Sequence, residues 1–265
     1  RTTGASRWTV SLTGKRIILT GASGGMGAPL IRVLTGAGAT VTAMDISPVV
    51  AESEAKTAPG PGRATVVSLD IADKAGVDRA FADAISDMGG LDALVHTAGV
   101  LASEPAEEAT ESSLDFMFEV NVKGTVFSNQ AVFETFRRQG SGSIVNFGSV
   151  SGLRPEPNSI LYSASKGAVH SWTRSLAHAW GKYGIRVNAL LPIIRTPMYV
   201  AAKEAMPEDV RAEFERVTEG GIVLGGEYGD AERDLGPVVV FFVGDDSHFV
   251  TGQLVPVDGG LISVR

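Results

Sequence analysis

The chain has 265 residues, enough for one large α/β domain or two small ones, and its 44% apolar and 20% charged content is globular rather than disordered. It has no cysteine, which excludes disulfides, thiolate metal sites and a cysteine nucleophile. The 23 basic and 30 acidic residues leave a net charge of −7, a poor match to nucleic-acid phosphate.

Residues 1–10 hold two arginines and a tryptophan but no apolar segment of a secretory signal. No run nears the ~20 apolar residues of a membrane span. The expectation is a cytoplasmic protein without a membrane partner. In chain order, Arg16–Thr20 reads as a strand, followed by glycine-rich sequence and a helix over about 26–37. Thr40–Met44 is a second strand. The Pro/Gly-rich stretch 51–62 reads as a loop, and Ala64–Leu69 as a third strand. Lys74–Met88 reads as a helix with Val77, Ala80, Phe81, Ala84 and Ile85 on one face. Leu91–His96 is strand four, Ser112–Arg138 one long helix, and Ser143–Phe147 strand five. Tyr162–Tyr183 is another helix, Ile185–Leu191 strand six, and Gln253–Val257 strand seven. Leu235–Val243 has the propensity of a buried strand, yet the helix-like Asp230–Arg233 before it suits a helix equally well. The alternation predicts one doubly wound α/β domain over 1–265, a parallel sheet with helices on both faces. No linker divides it.

Strand one runs into Thr20-Gly21-Ala22-Ser23-Gly24-Gly25-Met26-Gly27 and then a helix. Glycines there let the backbone turn tightly and approach a pyrophosphate, and the helix N-terminus offers N–H groups to an anion. The candidates for this cradle are Gly21, Ser23, Gly25, Met26 and Gly27. Asp45 ends strand two, where a dinucleotide fold puts the acid that binds the adenosine ribose. A carboxylate there repels a 2′-phosphate, and Ile46-Ser47 offer that phosphate no cation, so NAD is expected over NADP.

Tyr162 and Lys166 are four residues apart and share one helix face. A nearby ammonium favours the phenolate, so the Tyr162 pKa is expected to fall towards neutrality, as general acid/base work requires. Ser149 ends strand five, 13 residues earlier, at the carboxyl edge where doubly wound sheets bind ligands. Asn121 lies within the apolar stripe of its helix, and a buried amide needs hydrogen-bond partners.

Together these residues resemble the short-chain dehydrogenase/reductase family over about residues 12–260. The T-G-x-x-x-G-x-G cradle, Asp45, Ser68-Leu69-Asp70-Ile71, Thr97-Ala98-Gly99, the set Asn121, Ser149, Tyr162 and Lys166, and Thr251-Gly252 through Asp258-Gly259-Gly260 carry the likeness. The resemblance implies a Rossmann-type domain with a seven-stranded parallel sheet, and turns Leu235–Val243 into a helix. It implies Tyr162 as general acid/base, Ser149 as orienting hydroxyl, and Lys166 on the nicotinamide ribose. Asn121 would hold a water that links Lys166 to solvent. Asp70 and Ile71 would contact adenine, Ala98 and Gly99 would join the cofactor site, and the assembly would be a homotetramer or homodimer, with the stripe Ala164, Ala168, Trp172, Leu176 as a family-like interface. Three departures stand out. His96 takes the place of an asparagine and reads as its structural substitute. Pro192-Ile193 replaces Pro-Gly, and the stretch to Thr196 is one residue short, which bears on the cofactor roles of Pro192, Ile194 and Thr196.

The implied reaction moves a hydride between NAD(H) and a small secondary alcohol or ketone. A non-catalytic dinucleotide sensor and an NADPH-dependent carbonyl reductase are the alternatives. A lid over 197–226 is expected, with Ser151, Leu153, Met198 and Tyr199 on the substrate, and Val100, Val200, Met206 and Phe214 completing an apolar pocket that Arg154 borders. Histidines 96, 170, 178 and 248 lack metal-ligand spacing, so no metal is expected.

Overall fold

Short β-branched runs separated by helices leave each strand only one way to hide both faces, and the chain takes it. The computed structural model describes residues 11–204 and 206–262, without the side chains at 198, 202, 210 and 214. The expectations placed on Met198, on Phe214 and on residues 1–10 therefore lie outside the described residues. Among the described residues, β1 (Arg16–Thr20), β2 (Thr40–Asp45), β3 (Arg63–Ser68), β4 (Ala93–His96), β5 (Gly142–Phe147), β6 (Ile185–Pro192) and β7 (Leu254–Val257) form one parallel sheet in the order β3-β2-β1-β4-β5-β6-β7.

Alternate strand residues feed two cores. Ile17, Leu19, Val41, Val95 and Val145 face one side, under α1 (Gly27–Gly36), α2 (Val49–Thr57) and α9 (Gly236–Val243). Ile18, Leu94, Ile144 and Val187 face the other, under α3 (Lys74–Met88), α5 (Gly124–Gln139) and α6 (Ile160–Trp180). The strand order reverses between β1 and β4, so a crevice opens at their carboxyl ends.

Three expectations change. Helix α2 occupies most of the stretch read as a loop. It buries only Ala51, whose N–H donates to Ser23 Oγ at 3.1 Å, and Arg32 of α1 pairs with its Glu54 at 2.7 Å. Such a helix has no apolar face for periodicity to report. The long helix over 112–138 is three pieces: α4 (Glu111–Phe118), a π-helical turn (Glu119–Lys123) and α5. The extra residue in that turn re-aims Asn121, as π turns at functional sites do. Helix α6 begins at Ile160, so Tyr162 stands in its first turn, and it ends at Trp180 in a 3₁₀ turn over Gly181–Tyr183. Leu235–Val243, ambiguous by periodicity, is helical as the resemblance implies. Pro237 sits in the first turn of α9, where its missing N–H costs nothing, and Gly236 lets α9 close on Val33 of α1.

Candidate active site

The cradle forms because three glycines remove side chains that would collide. Gly21 has a φ of +68°, and a Cβ there would lie 2.5 Å from the Ala98 nitrogen. Thr97 Oγ1 donates to the Thr20 carbonyl at 2.7 Å and fastens this turn to the end of β4. A Cβ on Gly27 would run into the Gly21 carbonyl, and one on Gly25 would lie 2.6 Å from Thr196 Cβ. Met26 precedes α1 without a side-chain cap, and the first turn carries no acidic residue. The helix dipole and N-terminal amides thus point into a groove lined by backbone, a fit to a pyrophosphate. Asp45 lies beside it, half-buried. One of its carboxylate oxygens accepts the Ser23 N–H and the other the Ser47 N–H, each at 2.9 Å. Those bonds hold the carboxylate at the end of β2, where a ribose diol would be recognised. Asp70 is exposed and accepts the Ala72 N–H at 2.8 Å. The Ile71 side chain packs against Gly124 of α5, which leaves only its backbone for an adenine.

Across the crevice, four side chains from three segments meet. Asn121 is buried in the π turn. Its Oδ1 accepts the Val100 N–H at 2.8 Å, and its Nδ2 donates to the Val100 carbonyl at 2.9 Å and to Ser165 Oγ at 3.0 Å. Both amide hydrogens are committed, so a water it holds would donate to the remaining lone pair of Oδ1 or to the Asn121 backbone carbonyl, which already accepts Thr125 Oγ1 at 2.7 Å. Gly99 lies directly over this pair. A Cβ there would be 3.1 Å from Asn121 Oδ1 and 3.4 Å from Lys166 Nζ. Lys166 is buried, donates to the Phe147 carbonyl at 2.9 Å, and lies 5.7 Å from the centre of the Tyr162 ring. Burial alone pulls its pKa down to about 8. Ser149 Oγ accepts the Ser151 N–H at 3.1 Å, which leaves its own hydrogen to donate, and its hydroxyl favours the phenolate form of Tyr162.

The Tyr162 pKa corrects an expectation. Burial raises it above the ordinary value, and the Ser149 hydroxyl only partly opposes that. The ammonium expected to lower it donates one N–H to the Phe147 carbonyl and lies over the ring, 5.7 Å from its centre.

The family model described as short chain dehydrogenase matches residues 15–207. The chain belongs to the short-chain dehydrogenase family. It is 34% identical over 253 residues to the 3-oxoacyl-[acyl-carrier-protein] reductase FabG of Thermotoga maritima, covering 95% of this chain and 99% of that protein. It is 33% identical over 248 residues to the cyclopentanol dehydrogenase of Comamonas testosteroni, covering 93% and 96%. A crystal structure of levodione reductase superposes with a TM-score of 0.85 at 30% identity, covering 94% of this chain and 97% of that one. This is an oxidoreductase of a family that binds nicotinamide dinucleotides, and its seven-stranded parallel sheet is the family's fold.

In this short-chain dehydrogenase the loop after β6 departs from expectation. The Ile194 side chain is buried in the core, and its backbone bridges Gly229. Pro192 closes β6, and Thr196 caps α7 (Pro197–Glu204), which α8 (Glu208–Phe214) follows; Thr196 Oγ1 accepts the Tyr199 N–H at 3.2 Å. Thr196 is the residue of this loop that reaches the cradle, over Gly25. The apolar substrate pocket is not what surrounds Tyr199. Its hydroxyl donates to the Glu219 carboxylate, which also takes Lys203 Nζ at 2.9 Å, and its ring stacks on Tyr228 at 4.1 Å. Arg195, Tyr199, Lys203, Glu215, Glu219 and Tyr228 instead line a charged cavity of about 430 Å³. The cause is helical spacing, since Tyr199 and Lys203 share a face of α7 and both reach one carboxylate. Ser151 is half-buried beside Ser149, Leu153 is exposed, and Arg154 pairs with Glu156 at 3.0 Å. Of the α6 stripe read as an interface, Leu176 is in the core and Trp172 donates to Asn129.

His96 is buried and bonds Thr20 Oγ1 through Nδ1 at 2.7 Å, the structural bond expected of it. Two features escaped the sequence reading. Asn129 and Asn146 exchange amide hydrogen bonds at 3.0 Å and brace the end of β5. His170, one turn beyond Lys166, accepts the Ser149 N–H at 3.2 Å. The spacing 162, 166, 170 placed it on the catalytic face in advance.

Proposed function

We propose that this chain is an NAD-dependent alcohol dehydrogenase or ketone reductase, with Tyr162 as general acid/base, Ser149 as orienting hydroxyl, and a small secondary alcohol or its ketone as substrate. The convergence of Tyr162, Ser149, Lys166 and Asn121 opposite a glycine cradle carries this reading. The relatives' names support the substrate class: one is a cyclopentanol dehydrogenase and another a 3-oxoacyl reductase. Asp45 supports NAD, because a 2′-phosphate would face a carboxylate already held by two backbone amides.

The nicotinamide, when bound, supplies or accepts the hydride. The protein's part is to handle the proton and the developing charge. Ser149 and Tyr162 offer two O–H donors to one substrate oxygen, preorganised stabilisation of the kind worth several kcal/mol. In reduction Tyr162 gives its proton to that oxygen; in oxidation the phenolate removes the hydroxyl proton. Lys166, about 8 in pKa and charged at pH 7, is the cation that favours the phenolate when it turns from the Phe147 carbonyl. The same reading carries a homotetramer or homodimer, for which exposed Phe116 on α4 and Phe249 before β7 supply apolar surface.

Because burial raises the phenol's pKa, the phenolate fraction grows with pH. Oxidation of cyclopentanol, followed as NADH formation, is expected to rise into the alkaline range. Tyr162→Phe should cost at least about a hundredfold in kcat, the scale of general acid/base catalysis, with NADH affinity near wild type. Turnover that survives this substitution would overturn the role given to Tyr162.

A further inference from the structure

Helix α6 grips the end of β5 at two successive turns. Lys166 donates to the Phe147 carbonyl, and His170 accepts the Ser149 N–H at 3.2 Å. The two bonds bracket Gly148 and fix the backbone on either side of it. The His170 ring is 1% exposed. The turn that follows β5 wraps around it: a Cβ on Gly148 would lie 2.7 Å from Cδ2, and one on Gly152 would lie 2.6 Å from Cε1 and 2.9 Å from Nδ1. Both positions must lack a side chain for the imidazole to fit.

We propose that His170 is a positioning residue, whose neutral imidazole, protonated at Nδ1 and bare at Nε2, holds the Ser149 backbone and so sets the direction of the Ser149 hydroxyl. The proposal rests on the reading of Ser149 as the orienting hydroxyl.

A ring nitrogen accepts an N–H only through its lone pair, so Nε2 carries no proton and the neutral ring must carry its proton on Nδ1. The Gly152 backbone packs against that side of the ring, with no acceptor at hydrogen-bond distance from Nδ1 among the described residues. Burial, with Lys166 and Arg174 as neighbouring cations, holds the pKa down to about 4 and keeps the ring neutral at pH 7. With the other tautomer, Nε2–H would face the Ser149 N–H, two donors without an acceptor. Ser149 would move, and its hydroxyl would lose its alignment between the Ser151 N–H and the Tyr162 phenol. Misplacement of a catalytic group by about 1 Å costs on the order of a hundredfold in rate.

The test compares wild type, His170→Phe, His170→Gln and Ser149→Ala in the full chain, with NAD and cyclopentanol as probes. Phe fills the space without an acceptor; Gln returns an acceptor oxygen close to the Nε2 position. His170→Phe is expected to lower kcat by about ten- to a hundredfold with the NADH Kd within about twofold of wild type, and His170→Gln to recover most of the loss. A wild-type kcat in His170→Phe, or a Gln variant as impaired as Phe, would overturn the positioning role. Turnover retained in Ser149→Ala would instead overturn the reading of Ser149 itself. A readout independent of turnover is available because the chain has 4 histidines. Nitrogen-15 histidine spectra at pH 7 should show His170 neutral with its proton on Nδ1, and an Nε2–H tautomer or an imidazolium would sink the proposal.

Discussion

His96 and His170 enter the fold uncharged, with pKa values of about 3 and about 4 against 6.5 outside it, burial being the largest cause for both. The unfolded chain therefore takes up protons first as the pH falls. The stability these rings allow is fully present above pH 6.5 and is lost as the pH drops towards 4 and then 3. Each ring contributes a slope of up to about 1.4 kcal/mol per pH unit within its window. His96→Asn, which places an amide beside Thr20, should remove about one proton's worth of that slope between pH 6 and 4.5. Urea unfolding across that range would show it, and a slope equal to wild type would mean that His96 already charges within the fold. The same contrast explains what a residue list can and cannot reveal. The Tyr162–Lys166 spacing was legible because a helix makes neighbours of positions four apart. The direction of the Tyr162 pKa was not, because it depends on burial and on where the Lys166 ammonium points, and both are tertiary facts.

At the scale of elements, Leu235–Val243 is the instructive case. Val238 to Val243 is apolar throughout, so neither a period of 2 nor one of 3.6 stands out, and strand propensity argues for the wrong element. What favours the helix lies elsewhere in the chain. The Phe242 carbonyl, at the end of α9, accepts Ser143 Oγ at 2.7 Å from β5, Arg186 Nη2 at 2.8 Å from β6 and Ser247 Oγ at 3.1 Å. Arg186 also reaches the Gly244 carbonyl at 3.2 Å. These donors satisfy carbonyls that a helix end leaves open, and the guanidinium adds a favourable charge at the negative end of the dipole. Arg186→Met should therefore destabilise the fold by about 1.5–3 kcal/mol, the scale of hydrogen bonds from a charged donor, with Ser143 and Ser247 still serving the two carbonyls. It lies near the amino end of β6, away from the cradle, so NADH affinity should stay at the wild-type value while the urea midpoint falls. An unchanged midpoint would show that Ser143 and Ser247 suffice. The π turn at Glu119–Lys123 was hidden for a related reason: its apolar stripe continues through Asn121, and only the bonds to Val100 and Ser165 mark the break.

The whole molecule joins two stretches of sequence at one crevice. Gly21 to Asp45 comes from β1, α1 and β2, while Asn121 to Lys166 comes from the segments around β5, and the strand order reverses between them at β1 and β4. The doubly wound pattern and the cradle could be read from local sequence because glycines and strand ends are local signals. The crevice itself could not, since Thr97, Ala98 and Gly25 reach their partners only once β1, β4 and the loop after β6 lie side by side. A dinucleotide bound as proposed touches both stretches and binds only the folded chain, so it should raise the unfolding temperature as a whole. At a concentration about 100 times its Kd, NADH adds about 2.7 kcal/mol, which for a domain of this size is a rise of roughly 5–10 °C. NADPH would bring a phosphate against the Asp45 carboxylate, whose two oxygens are tied to the Ser23 and Ser47 amides and cannot swing aside without breaking those bonds. At the same concentration its shift should be no more than about half as large, because a tenfold or greater loss of affinity removes about 1.4 kcal/mol or more. Asp45→Ala should shrink the NADH shift and enlarge the NADPH one. Equal shifts from the two cofactors in the wild-type chain would defeat the proposed NAD preference while leaving the placement of the cradle intact, and no shift from either would defeat both.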